Sequence, residues 1–362
     1  MTDLCEEFGI SRQTGHRIWS RFQEKGPDAL LDQSRAPKRI PHRTPQELRE
    51  LVVQAKKKHP TWGPKKLYAW LSEQHRGVAV PAGSTIGEIL KQEGLVKSRP
   101  RRQRFKATGT GRDVPTAPNQ LWCADFKGQF RLGNGSYCYP LTITDAFSRY
   151  LIACAALDGT SCGPAQTVFE DAFETYGVPA AIRTDNGVPF ASRGLAGLTE
   201  LSAWWKRLQI RIERIEPGHP EQNGQHERMH LTLKTETTRP ASGNMLQQQE
   251  RFDVFVEHFN KERPHEALGQ RPPATLFVPS ERTYADALKS LDYPLHDLVL
   301  SVSSSGSVYL PGRKAIYVSK TLGGQPVGLR ELGDGRWLVT FSDLDLGHVN
   351  EGGFEAAEGL LG

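Results

Sequence analysis

The hydrophobic pattern changes period at Leu121, so a single architecture cannot house the whole chain. Upstream, apolar residues recur every three or four positions between turn-rich stretches, the pattern of short amphipathic helices. Downstream, LWCADFKGQF, SYCYPLTITDA and YLIACAAL read as three strands of an antiparallel meander, with GNGS as a tight turn. PAQTVFEDAFETYG is predicted as an amphipathic helix, AAIRTDNG as a short buried strand ending in a turn, LTELSAWWKRLQ as a helix and IRIERIEPG as a further strand. That order builds a mixed sheet flanked by helices. Beyond about Pro279, short Val, Tyr and Leu runs separated by Gly (LVLSVSSSGSVYL, RKAIYVSK, QPVGLREL, RWLVTFSD) predict a small SH3-like β-barrel over residues 295–352.

At 362 residues and 37% hydrophobic, the chain can bury two or three cores. It contains neither an apolar run near membrane-spanning length nor a leader pattern, which points to the cytoplasm. Cys5, Cys123, Cys138, Cys154 and Cys162 form no CxxC pair, so a reduced, zinc-free protein is expected.

The net charge of +5 hides an asymmetry. Residues 1–110 hold 22 Lys and Arg against 11 Asp and Glu, whereas the remainder holds 24 against 30. A cation excess in front of the core suits phosphate neutralisation with counterion release, although a solvated surface would carry the same bias. Helix-turn-helix signals occupy the same region. In TDLCEEFGISRQTGHRIWSRFQEKG, Leu4, Phe8 and Ile10 pack a short helix, Gly9 turns, Ser11 caps, and Ile18, Trp19 and Phe22 repeat at helical spacing. Arg12, Gln13, Thr14, His16 and Arg17 then stand where a recognition helix faces the major groove. The chain opens almost inside this motif, so the module, residues 1–40, reads as truncated at its start.

A second helix-turn-helix-like unit, residues 41–96, is predicted from PQELRELVVQAKKKHP, TWGPKKLYAWLSEQ and STIGEILKQEGLV, with Leu48, Leu51, Val52 and Ala55 on one face. Lys56, Lys57, Lys58, Lys65 and Lys66 are candidate phosphate contacts, while Trp62, Tyr68 and Trp70 are expected in the core. Residues 97–120 follow as a linker, whose six cations from Lys97 to Lys106, Arg101, Arg102 and Arg104 among them, could lie along a DNA backbone.

Three carboxylates carry the chemistry: Asp125 on the first strand, Asp185 at the tip of the fourth, and Glu227 on a helix in HPEQNGQHERMHLTLKTE. Hard divalent cations favour such oxygen donors and keep positions open for phosphate oxygens. The run LWxxDF, TITDAFSRY, TDNGxxF, HPxxNGxxERxxxxLK and FNxxRPHxAL, from about Leu121 to Leu268, resembles the catalytic core of retroviral-type integrases and of the insertion-sequence transposases that share it, the DDE recombinases, and the core domain is expected over residues 121–278. The helical unit at 41–96 likewise resembles the second module with which many such transposases grip terminal inverted repeats. The expected fold is therefore multi-domain: α-helical helix-turn-helix modules at the N-terminus, an α/β ribonuclease-H-like catalytic core and a small β-barrel at the C-terminus.

Glu221 competes with Glu227 for the third position. Spacing from Asp185 favours Glu221, with 35 intervening residues against 41, but the family motif places the glutamate after the Pro-x-x-x-Gly turn, which selects Glu227. A helix starting near Asn223 aligns Glu227, His230 or Leu231, and Lys234. Lys234 then suits the phosphate beside the cleaved bond, with Gln222 and Asn223 at the DNA end. Gly187 is expected where the backbone needs positive φ or close approach to the substrate.

The resemblance implies two Mg²⁺ ions, with Mn²⁺ able to substitute, held by Asp125, Asp185 and Glu227. It further implies metal-dependent strand cleavage and strand transfer at the ends of a mobile element, double-stranded DNA of the inverted repeats and target as partners, and a homo-oligomer, at least a dimer, near the bacterial nucleoid. A sequence-specific DNA-binding regulator with an inactive core is the alternative. Asp145 is expected to be structural, bonded to Ser148 or Arg149, and Asn260, Arg263, Pro264 and His265 to pack and cap. His219, His226 and His230 lack the cysteine spacing of a zinc site.

Overall fold

The computed structural model describes residues 1–31, 43–96, 114–216, 224–288, 291–312, 315–333 and 335–357. The chain divides into two compact units, Met1–Glu50 and Leu51–Gly362. In the first, α1 (Thr2–Glu7) and α2 (Arg12–Lys25) are joined by a turn at Gly9, and the Ser11 hydroxyl caps α2 by accepting from the Thr14 N–H at 3.2 Å. Cys5 and Gly15 are buried between them, but Leu4, Phe8, Ile10, Ile18, Trp19 and Phe22, expected to pack, remain exposed.

A helix from Gln46 to Lys58, α3, leads into α4 (Pro64–Gln74) and α5 (Gly83–Gln92). Val52, Ala55, Trp62, Leu67, Leu71, Ile86, Ile89 and Leu90 form their core. Tyr68 departs from expectation by pointing to solvent, and Trp70 is only partly covered.

The core that follows is built on the sheet β4–β3–β1–β5–β6. Its strands are β1 (Trp122–Phe126), β2 (Phe130–Arg131), β3 (Tyr137–Asp145), β4 (Leu151–Leu157), β5 (Ala181–Thr184) and β6 (Arg211–Arg214). The predicted first strand is split: β2 continues along the same edge of β3 after a break at residues 127–129. β1, β3 and β4 are antiparallel, while β5 and β6 run parallel to β1. Helices α6 (Cys162–Tyr176) and α7 (Glu200–Arg207) cover one face through Phe169, Phe173, Trp204 and Trp205. Helices α8 (Gly224–Thr237) and α9 (Met245–Lys261) cover the other through Met229, Leu233, Phe252, Phe255 and Phe259.

Residues 114–120, expected in the linker, are tied to this core instead: Asn119 donates its backbone N–H to Asp145, accepts from the Trp122 indole and donates its amide to the Val278 carbonyl. A one-turn helix, α10 (Tyr284–Ala287), packs beyond them.

The C-terminal part is an open antiparallel sheet and not a closed barrel. Its order is β13–β12–β11–β10–β7, from β7 (Leu298–Ser301), β10 (Pro326–Gly333), β11 (Arg336–Phe341), β12 (Leu344–Asn350) and β13 (Gly353–Ala356), with a separate ribbon of β8 (Ser307–Val308) and β9 (Ile316–Tyr317). Closure is unnecessary because Leu195, Leu198 and Ala203 of the core join Val327, Leu329, Val339 and Phe341 in one apolar cluster. At Gly347 (φ +147°) in β12 a Cβ would collide with the Glu355 carbonyl, so the close crossing of β13 requires glycine.

Candidate active site

Asp125 lies on β1 and Asp185 follows β5. The parallel register pairs Trp122 with Ile182 and Cys123 with Arg183, and two further steps set Asp125 beside Asp185. Gly187 donates its N–H to Asp185 Oδ1 at 3.1 Å, and a Cβ there would sit 3.1 Å from the Asp185 carboxylate. Gly187 does not have the positive φ expected as one alternative, and the space its missing Cβ leaves is beside the Asp185 carboxylate. Glu227 occupies the exposed first turn of α8, with Leu231 and Lys234 exposed along the same side. His230, offered as an alternative on that side, is instead buried.

Burial pushes the Asp125 carboxyl up to about 7, and the negative charges of Asp185 and Glu227 push in the same direction. These acids therefore share one electrostatic neighbourhood. Among the described residues the three-donor groups tight enough to grip one ion are Asp125–His226–His230 and His59–His258–Glu262, so the acidic trio is more open than a single-ion site.

The histidines beside Asp125 form an unforeseen feature. Thr144 Oγ1 lies 2.9 Å from His226 Nδ1, while Thr142 Oγ1 lies 2.7 Å from Nε2 of both His226 and His230. His230 Nδ1 ends the row 3.8 Å from Asp125 Oδ2. Burial lowers His226 to about 3 and His230 to about 2, so both rings are neutral and the contact with Asp125 is not a charged pair. With three of their four nitrogens against threonine hydroxyls, they fit a supporting layer for Asp125 better than an ion-binding set. The signal was present in the sequence as His226 and His230 four apart on a helix and Thr142 and Thr144 two apart on a strand.

Asp145 is wholly internal: it accepts from Asn119 N, Ser148 N and Ser148 Oγ at 2.8, 2.7 and 2.6 Å. Asn260 clamps β4, its side-chain amide accepting from Leu151 N and donating to Leu151 O. Both agree with the structural roles read from the sequence.

The expected DNA contacts divide. Arg12, Gln13, His16 and Arg17 are exposed on α2, whereas Thr14 is half-buried and bonded to the Ser11 cap. Lys65 is exposed but paired with Glu266 at 3.1 Å, and Lys66 is partly buried, which lowers it to about 8. Lys56 donates to the Pro60 and Trp62 carbonyls, and Lys58 lies over the Trp70 ring. Lys56 is thus used within the helical module, while Lys58 and Lys65 also pair with Glu262 and Glu266 beyond it, uses that a cation count cannot distinguish from phosphate binding. Gln222, Asn223, Glu221, His219, Arg101, Arg102 and Arg104 lie outside the described residues.

Residues 115–220 match an integrase core domain model and residues 208–273 a second model of the same description, and a homeodomain-like domain model matches residues 14–90. The chain is 31% identical over 199 residues to an uncharacterized protein of insertion element IS476 from Xanthomonas euvesicatoria, covering 54% of this chain and 55% of that one. It is 26% identical over 226 residues to transposase InsD of insertion element IS2 from Escherichia coli, covering 59% and 72%. A solved simian T-cell lymphotropic virus intasome chain is similar over 84% of this chain and 98% of that one, at 17% identity and a TM-score of 0.39. Residues 115–273 are thus similar to integrase core domains, and the chain is similar to proteins of insertion elements, spanning about half the length of the IS476 protein.

Proposed function

We propose that this chain is a DNA transposase that binds the ends of a mobile element and catalyses metal-dependent strand cleavage and strand transfer. What supports the reading is that the half-buried Asp125 carboxyl is raised to about 7 by burial, with the negative charges of Asp185 and Glu227 adding to the rise, an electrostatic setting that a divalent cation would relieve. Carboxylate oxygens suit Mg²⁺ or Mn²⁺, and an open trio suits two ions better than one. Asp125, Asp185 and Glu227 would together hold the ions. Bound there, divalent ions supply activation of the attacking oxygen and charge stabilisation of the leaving one during in-line displacement.

The chain's own residues position the DNA. Lys234, two turns along the Glu227 side of α8, is assigned to the phosphate next to the scissile bond, with Gln222 and Asn223 at the DNA end. No side chain is needed as nucleophile, since water and then the freed 3′-hydroxyl attack. The exposed α2 residues Arg12, Gln13, His16 and Arg17 are assigned to base or backbone contacts. Element ends and target DNA are the partners. Joining two ends calls for at least two copies, acting in the cytoplasm on nucleoid DNA. As domains we assign residues 1–40 and 41–96 to DNA binding and 121–278 to catalysis.

The test incubates labelled element ends with the protein in Mg²⁺ and compares Asp125→Ala, Asp185→Ala, Glu227→Ala and Glu221→Ala. The first three should lose cleavage and joining while still binding DNA, and Glu221→Ala should stay active. An inert Glu221→Ala beside an active Glu227→Ala would overturn the site assignment. DNA binding without nicking by the unaltered chain would favour a regulator with an idle core.

A further inference from the structure

His59, directly after α3, is 3% exposed, and neither of its ring nitrogens has a hydrogen-bond partner. Its ring stacks on Trp62 with centroids 3.8 Å apart and faces His258 of α9 at 5.0 Å. A buried imidazole needs a partner for its donor and its acceptor, because each orphaned group costs roughly 1–3 kcal/mol. One turn beyond His258 stands Glu262, with His258 Nε2 3.3 Å from Glu262 Oε2. One donor atom from each of His59, His258 and Glu262 falls within 4.8 Å of the others.

We propose that His59, His258 and Glu262 form a transition-metal site, fitted to Zn²⁺ with water as fourth ligand, that fastens the α3–α5 module to α9. Zinc bonds of about 2.0–2.1 Å in a tetrahedron place donor atoms about 3.3 Å apart. The His258–Glu262 pair already stands at that separation. His59 has to close by on the order of 1 Å, with the near-parallel rings tilting toward a common point. Two imidazoles and one carboxylate select zinc over Mg²⁺, which prefers oxygen and keeps its waters. The opposing charge is Lys58, whose Nζ is 3.6 Å from Glu262 Oε2; its side chain is 57% exposed and can swing away. Arg263 is held by Glu236 at 2.7 Å and stays committed there.

The site is separate from the proposed catalytic acids, and its test does not depend on them. The full chain carrying Asp125→Asn, Asp185→Asn and Glu227→Gln is titrated with Zn²⁺ and with Co²⁺ in excess Mg²⁺, following heat of binding, visible ligand-field bands and thermal midpoint. One Zn²⁺ per chain, tetrahedral Co²⁺ bands and a raised midpoint are expected. His258→Ala and Glu262→Gln, at partly exposed positions that leave the fold intact, should each weaken binding about 10-fold or more. The absence of zinc binding, or binding that survives both substitutions unchanged, would overturn the proposal.

Discussion

His230 Nδ1 stands 3.8 Å from Asp125 Oδ2 at the end of a row running Thr144, His226, Thr142, His230, Asp125. The Thr142 hydroxyl has one proton for three neighbours, the two histidine Nε2 atoms and the Asp125 carbonyl. It therefore fixes the orientation of both rings and, through His230, the approach to Asp125. Thr142→Val keeps the shape and removes the hydroxyl. Cleavage should fall about 10- to 100-fold, with the Mg²⁺ concentration for half-activity rising and binding of element ends unchanged. Single-turnover cleavage across a Mg²⁺ series checks this; an unchanged Mg²⁺ dependence would leave the row a packing feature only.

The elevated Asp125 pKa makes metal-free stability depend on pH. In the folded chain this carboxyl holds its proton up to about 7, whereas the unfolded chain releases it near the ordinary value of 3.8. Between those values the folded state binds the extra proton, so stability falls as pH rises through the window. In chelator, the thermal midpoint of the unaltered protein should drop from mildly acidic toward neutral pH. Asp125→Asn should flatten that slope, and added Mg²⁺ should restore the midpoint at neutral pH. Parallel slopes for the two proteins would show that the acid is not held as described.

Much of the core was legible because strand alternation and helix spacing survive in short windows. The meander, α6, β5, α7 and β6 fall where LWCADFKGQF through IRIERIEPG place them. What escaped are properties of pairs distant in sequence. The break after Phe126 depends on β3, and β12 and β13 were missed because Gly347 and the acidic LDLGHVN run carry no strong strand pattern. The fate of Lys56, Lys58 and Lys66 could not be read from charge, since their partners include loop carbonyls, a Trp70 ring and burial. Cysteine spacing likewise could not reveal His59 and His258 as neighbours, because zinc motifs are recognised locally and these two are not local.

The buried pair of Glu236 and Arg263 links three elements. Arg263 Nη1 donates to Glu236 Oε1 at 2.7 Å, and the same oxygen accepts from the Thr61 hydroxyl at 2.6 Å. The side chains are only 17% and 9% exposed, so removing the acid strands a buried guanidinium. Glu236→Ala should cost roughly 3 kcal/mol in chemical denaturation, and Glu236→Gln less, since it retains an acceptor. Thr61→Ala, breaking a more exposed bond, should cost under about 1 kcal/mol. Equal losses for Glu236→Ala and Thr61→Ala would mean the guanidinium finds water instead.

Lys206 on α7 donates to both carboxylate oxygens of Asp343 at 2.7 and 2.9 Å, joining the core to the C-terminal sheet beside their shared apolar cluster. The pair is asymmetric: the lysine side chain is 11% exposed and the aspartate 69%. Burial alone would raise the Asp343 carboxyl, but the bonds and charge of Lys206 outweigh it and leave it below its ordinary value. Its stabilisation is therefore present above the ordinary carboxylate range and lost as pH falls through the depressed value. Asp343→Ala leaves a buried ammonium unpaired and should cost on the order of 2 kcal/mol, a figure discounted for the exposed partner. Lys206→Met, which removes the charge and keeps the volume, should stay within about 1 kcal/mol of the unaltered protein. Urea denaturation at neutral and acidic pH separates the cases: Asp343→Ala should lose its deficit in acid, where the unaltered chain also forfeits the bond, and a deficit that persists there would trace to packing instead.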